Sequence, residues 1–276
     1  MTVSMPIAKQ GAPETGLRRV FGNLAAWLAL PFRARRGPGA RLPPRFAFGA
    51  LGAILLVALA MTVLDMRGVA FARTLPLWVI ATFNEITDFG QSGWFLIPIG
   101  AFIVLVAIAT PAAGRAANLV VTSLIVRLEF VFLAIALPGL FVTIVKRLIG
   151  RVRPSDLGPF AYMPWSWTPA YASMPSGHGT TAFAAAIAIG AVWPKARVPM
   201  WIFAAIIALS RVVITAHFVS DVTAAAFVGG FGAILVRNWF AARRLGFIAR
   251  PDGTVHALPG PSWRRLKAVA RRLSGQ

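Results

Sequence analysis

The chain has 276 residues, of which 58% are hydrophobic and only 13% charged, about half the charged share usual in a globular domain. That balance excludes an ordinary soluble protein and points to a chain that resides largely in lipid. Its charges are 28 basic against 8 acidic, a net of +20, and beside so much apolar sequence this excess fits an anionic membrane face and not nucleic acid.

The N-terminal arm, residues 1–45, carries an apolar patch from Val20 to Phe32 between Arg18-Arg19 and the basic run Arg33 to Arg36. The patch is shorter than the about 20 residues a crossing needs. Basic residues follow it where a signal peptide would have a small-residue cleavage site. The expectation is a helix lying in the membrane interface.

Six apolar runs follow, in Phe46–Leu64, Trp94–Thr110, Asn118–Val145, Gly179–Trp193, Val198–Ile214 and Val222–Phe240. They predict an all-α polytopic membrane bundle of about six transmembrane helices, residues 46–240, flanked by the interfacial basic arm and a basic tail, residues 241–276. Arg127 and Glu129 fall inside the third run, and Arg127 is expected to snorkel to the cytoplasmic surface. Glu85 and Asp88 lie in a polar turn before the second run. The loop from Pro159 to Met174 holds Phe160, Tyr162, Trp165, Trp167 and Tyr171, an interfacial aromatic belt or a lid over a site. In the tail, Ser262 is placed to cap a helix with Trp263, Leu266, Val269, Ala270 and Leu273 on one face and basic residues elsewhere, a pattern suited to anionic lipid. No internal repeat supports a transporter built from duplicated halves.

Orientation follows from Lys and Arg. The arm to Arg45 holds eight basic residues and one acid, and the tail from Arg237 nine and one. Arg115, Lys195 and Arg197 add to the same side. Both termini are therefore expected in the cytoplasm, in a bacterial-type inner membrane. The exception is the outer segment after the third run, with Lys146, Arg147, Arg151 and Arg153, where an anion-binding role explains the excess.

Three segments carry chemistry. Lys146 and Arg153 are seven apart, close to two helical turns, and Pro154 stops the helix, so both cations are expected to project from one face. Arg147 and Arg151 point elsewhere, toward headgroups. Pro175-Ser176-Gly177-His178 opens the fourth run: Ser176 suits an N-cap, Gly177 admits close backbone approach, and a helix start favours an anion beside His178. In the third segment His217 and Asp221 are four apart, which on a helix puts the carboxylate within reach of the ring. It would orient the ring and leave one nitrogen free to attack. Ser210 and Arg211 are expected beside that face. His256 reads as a surface residue. The eight acids are scattered, Asp156 among them as a loop acid, so no metal and no cofactor is expected. The absence of cysteine removes thiolate chemistry.

The combination K-x6-R-P, P-S-G-H and S-R-x5-H-x3-D, from Lys146 to Asp221, resembles the type 2 phosphatidic acid phosphatase superfamily, the lipid phosphate phosphatases. The resemblance implies that His217 is a nucleophile forming a phosphohistidine and that Asp221 orients it. It implies that His178 protonates the leaving oxygen, and that Lys146, Arg153, Arg211, Ser176 and Gly177 hold the phosphate. The expected substrate is a lipid phosphate or diphosphate of the phosphatidic acid, phosphatidylglycerol phosphate or undecaprenyl diphosphate type, with lipid A 1-phosphate or phosphotransfer as an alternative. Vanadium haloperoxidases share a similar site but are soluble. A non-catalytic lipid-phosphate-binding protein is the reading of another class.

Overall fold

In hydrocarbon a chain must satisfy its own backbone groups, so bilayer-length apolar runs fold as helices. The computed structural model describes residues 16–34, 45–109, 115–154, 158–250 and 252–273. After the arm helix α1 (Gly16–Arg33) comes α2 (Arg45–Leu59), which continues through a π-helical stretch, Ala60–Leu64, into α3 (Asp65–Ala72). Then follow α4 (Leu77–Thr87), α5 (Gly93–Ala109), α6 (Arg115–Ile149), α7 (Gly177–Val192), α8 (Arg197–Val213) and α9 (Val219–Ala242). The tail adds strands β1 (Phe247–Ala249) and β2 (Val255–Ala257) and helix α10 (Trp263–Leu273).

Among the described residues five helical stretches are long and apolar enough to cross a membrane: Phe46–Ala72, Leu77–Ala109, Ala117–Ile149, Pro194–Val213 and Val219–Ala242. The fourth expected crossing, α7, has only 16 residues, about 24 Å of rise against a hydrocarbon core of about 30 Å. It packs chiefly against α6, α8 and α9, and none of its residues is exposed. Surrounded by protein, it need not match the bilayer. Gly179, Ala182, Ala184, Ala185, Ala186, Ala188 and Gly190 are buried along it, and such small residues let helix backbones approach where lipid supplies no hydrophobic drive.

The first run does not stop at Leu64. Its helix continues to Ala72, so Asp65 lies inside the bundle and is fully buried. The arm helix expected over Val20–Phe32 forms as α1, whose Trp27 packs with Ile103, Ala107, Val121 and Ile125 while Leu17 and Phe21 remain exposed. Arg35, Arg36 and the first fifteen residues of the arm, like Asp156, lie outside the described residues.

Two features of the tail differ from expectation. A two-stranded antiparallel hairpin pairs Phe247 with Ala257 and Ile248 with His256. It docks through Phe247, whose ring meets that of Phe130 at 4.6 Å. Arg127 does not snorkel: it is 8% exposed, and its guanidinium donates to the Leu258 and Pro259 carbonyls at 2.8 and 2.9 Å. The tail thus supplies the acceptors that water would otherwise provide. Ser262 caps α10, accepting the Arg265 amide at 3.4 Å. His256 is exposed, as expected.

Candidate active site

The end of α6, the start of α7, the end of α8 and the start of α9 meet at the pole of the bundle opposite α1 and the tail. Gly150 terminates α6 with φ of +62°, and a side chain there would collide with the Met163 carbonyl. Beyond it the chain is extended, bridged at Arg151 to Tyr162. Lys146 and Arg153 therefore do not share a helical face, as their spacing had suggested. They converge because the chain turns back after Gly150, and each lies within electrostatic reach of the other.

Five cationic or imidazole groups surround the same space. Arg153 feels Asp221, and the charges of Arg211 and Arg153 both reach His217. His178 feels Arg211, Lys146 and His217. Buried Nε atoms of Arg153 and Arg211 have no hydrogen-bond partner among the described residues. Guanidinium donors beside two imidazoles suit a multiply charged oxyanion.

His217 is not on a helix. It sits in the turn between α8 and α9, where Thr215 adopts a φ of +51° and the His217 amide donates to the Arg211 carbonyl at 3.1 Å. Asp221 stands in the first turn of α9, and its Oδ2 accepts the Phe218 amide at 2.9 Å. The His217–Asp221 proximity thus comes from a helix N-terminus capped by its own carboxylate. His217 Nδ1 lies 3.6 Å from Asp221 Oδ2, an ion-pair distance longer than a hydrogen bond. Burial pushes the His217 pKa below its ordinary value; Asp221 opposes this, and Arg211 and Arg153 add to it.

Ser176 caps α7 as anticipated, its Oγ accepting the Gly179 amide at 3.3 Å. Its own amide donates to the Asp221 carbonyl at 3.1 Å, which ties the α7 start to the α9 start and brings Gly177 and His178 beside His217. Asp88 approaches from the turn after α4, close enough for its charge to act on His178 and Arg211. Glu85 is exposed.

Several groups at the site were not anticipated. Arg151, expected to face headgroups, is completely buried. It donates to Asp221 Oδ1 at 2.6 Å, Ser220 Oγ at 2.7 Å and Asp65 Oδ2 at 2.7 Å. Burial alone would favour loss of its proton, but Asp221 and Asp65 outweigh this and hold the guanidinium charged. Ser173 Oγ donates to Asp221 Oδ2 at 2.5 Å. Thr87 Oγ1 receives Arg211 Nη1 at 2.9 Å and so aims that guanidinium. The signal available beforehand was an acid at the margin of an apolar run, Asp65, and a third arginine inside the K-x6-R-P motif itself. Among the described residues no three His, Cys, Asp or Glu side chains gather as a metal-binding group.

A cleft of about 490 Å³ adjoins the site, lined by Gly177, His178 and Thr181 of α7, Gln91 and Ser92 before α5, and the Ile135 to Thr143 stretch of α6. It runs along the face of α6 that leads through Gly139 and Thr143 to Lys146, and Leu140 on its wall is largely exposed.

Residues 128–245 match the family model of the PAP2 superfamily. The chain is 33% identical over 202 residues to a lipid A 1-phosphatase of Rhizobium etli, covering 71% of this chain and 86% of that protein. It is 31% identical over 234 residues to a lipid A 1-phosphatase of Rhizobium johnstonii, covering 83% and 95%. Among solved structures, that of Aquifex aeolicus LpxE aligns with a TM-score of 0.47 at 19% identity, over 63% of this chain and 94% of that one.

Proposed function

Because this membrane protein belongs to the PAP2 superfamily and hydrolyses lipid phosphates, we propose that its catalyst is the His217 group just described and that its substrate is a lipid A 1-phosphate. In this reading His217 Nδ1 faces Asp221 and Nε2 attacks phosphorus. The bond from phosphorus to the lipid oxygen breaks as His178 delivers a proton to that oxygen, and a phosphohistidine forms. His178, now neutral, takes a proton from water; the water oxygen attacks phosphorus, and inorganic phosphate leaves with His217 restored. Lys146, Arg153 and Arg211, together with Ser176 and the Gly177 amide, hold the phosphoryl oxygens, where charge develops. Positioned cations of this kind supply the charge stabilisation that phosphoryl transfer requires, without a metal.

The observation that carries this reading is the convergence of Lys146, Arg153 and Arg211 around the two imidazoles, Arg211 acting on both, Arg153 on His217 and Lys146 on His178. The two rhizobial relatives support the lipid A assignment over phosphatidic acid, phosphatidylglycerol phosphate or undecaprenyl diphosphate. The cleft beside His178 lies on the leaving-group side, where the lipid alcohol belongs. Residues 46–240 form the phosphatase unit in this reading, between arm and tail. The site lies at one pole and α1 and α10 at the other, and the Lys and Arg distribution supports termini in the cytoplasm of an inner membrane and a site on the outer face. On the cytoplasmic face α1 and α10 meet anionic lipid; the exposed Trp263 under Lys267 at 5.4 Å fits that role.

The test is phosphate release by purified protein from a panel of lipid A, phosphatidic acid, phosphatidylglycerol phosphate and undecaprenyl diphosphate in detergent. Lipid A is expected to be cleaved fastest, with no turnover by His217→Ala. Equal rates across the panel sink the substrate assignment, and an active His217→Ala sinks the mechanism.

A further inference from the structure

Asp65 belongs to none of the three motifs, yet it reaches their centre. The π-helical widening at Ala60–Leu64 immediately precedes it, and such widenings re-aim the residues that follow. One turn further on, α3 meets α9 so closely at Gly68 that a Cβ there would stand 2.8 Å from the Val219 side chain. This approach lets Asp65 grip the first turn of α9. Its Oδ1 accepts the Ser220 amide at 2.8 Å, and its Oδ2 accepts Ser220 Oγ at 2.7 Å and Arg151 Nη2 at 2.7 Å. Asp65, Ser220 and Asp221 are each fully buried, as is Arg151.

The arrangement has an electrostatic consequence. One guanidinium is shared by two carboxylates that both act as acceptors only, so the buried group carries one negative charge in excess. That charge faces His217, whose ring becomes cationic once its other nitrogen is bonded to phosphorus. With Arg151 and Asp221 alone the group would be neutral, and the cationic ring would meet no net counter-charge. We propose that Asp65 is a positioning residue of the reaction: by occupying half of Arg151 and anchoring Ser220, it keeps Asp221 negative toward His217. The proposal rests on His217 being the nucleophile.

The groups facing His217 are Asp221 from α9, Arg211 from α8, Arg153 from the segment after α6 and His178 from α7; none of them is altered in the test. Asp65→Asn, Arg151→Gln and the double variant are assayed with whichever of lipid A and phosphatidic acid the wild type cleaves. Asp65→Asn is expected to lower kcat about tenfold or more with KM nearly unchanged, the pattern of a contact that matters only in the transition state. It removes negative charge near His217, so the acid limb of kcat/KM moves to lower pH. Arg151→Gln moves that limb to higher pH. The double variant, again one negative charge in excess, recovers toward the wild-type limb and exceeds Asp65→Asn in kcat.

A purely structural role predicts that the double variant is the worst of the three and that the limbs do not move in opposite directions; either result overturns the proposal. Unchanged kcat in Asp65→Asn overturns it as well. If Asp65→Asn does not fold, Arg151→Gln and the double variant still carry the sign of the shift, and an unmoved limb in Arg151→Gln decides against it. Failure of the underlying reading looks different, because His217→Ala would then remain active.

Discussion

His217 Nδ1 stands 3.6 Å from Asp221 Oδ2, while the same carboxylate accepts shorter bonds from Arg151, Ser173 and the Phe218 amide. Asp221 is therefore fixed first by the scaffold, and His217 is turned toward an acceptor that cannot follow it. Asp221→Asn keeps the shape and removes the charge. It is expected to lower kcat by about 10⁴-fold, the loss seen when a carboxylate that orients a catalytic histidine is neutralised. Single-turnover kinetics would check this, and a loss below about tenfold contradicts the assigned role.

The lowered pKa of His217 predicts a pH profile. The ring must be unprotonated to attack, and a depressed pKa keeps it so as pH falls below the ordinary histidine range. Activity of the free enzyme is then retained in mildly acidic buffer, with the limb assigned to His217 lying below about 6.5. A limb assigned to His217 above that value would contradict the burial argument.

Arg211 donates from Nη1 to Thr87 Oγ1 at 2.9 Å, and its charge reaches both His178 and His217. Arg211→Ala is expected to cost about 10²–10³-fold in kcat/KM, the usual effect of removing a preorganised donor to a developing oxyanion. Thr87→Val leaves the charge but frees its direction, and a smaller loss is expected. If both variants hydrolyse lipid phosphate at wild-type rates, Arg211 does not bind the phosphoryl group.

Gly139 lines the cleft beside His178, and a Cβ added there meets nothing within 4 Å. Gly139→Leu should fill the cleft without disturbing the bundle. KM for a long-chain lipid phosphate is expected to rise several-fold, while a small water-soluble phosphate ester is cleaved as before. Parallel losses on both substrates would show that the leaving lipid does not occupy this cleft.

Trp165 and Trp167 are 74% and 81% exposed in a loop that Arg147 fastens through the Trp167 carbonyl at 2.6 Å. Replacing both with Ala is expected to change the relative rates among lipid substrates if the loop covers the bound lipid. Uniform losses across the panel favour a simple interfacial anchor.

EDTA is expected to leave turnover unchanged, since three cationic side chains serve the charge that a metal would otherwise meet. Loss of activity on chelation, restored by a divalent ion, would contradict the scheme.

Much of this protein was legible in its residues because the bilayer narrows the choices. An apolar run of crossing length must be helical, and His, Lys and Arg clustered at the ends of such runs stand out against them, so the helices, the basic ends and the three motif segments could be read in one dimension. Periodicity misled where the chain left the helix: Gly150 turns Arg153 back, and the turn at Thr215 takes His217 off α8. Neither break changes hydrophobicity, so neither has a signature in the pattern of apolar residues. Asp65, Thr87, Ser173 and Arg151 became part of the site only through contacts between segments distant in sequence. A hydrogen bond from Arg151 to Asp65 spans 86 positions, and spacing along a chain carries no information about such a pair. Composition and local pattern determined that the chain is a helical membrane protein carrying the motifs of the PAP2 superfamily; the packing of α3 against α9 decided which buried charges surround Asp221 and His217, because electrostatic balance depends on distance in space.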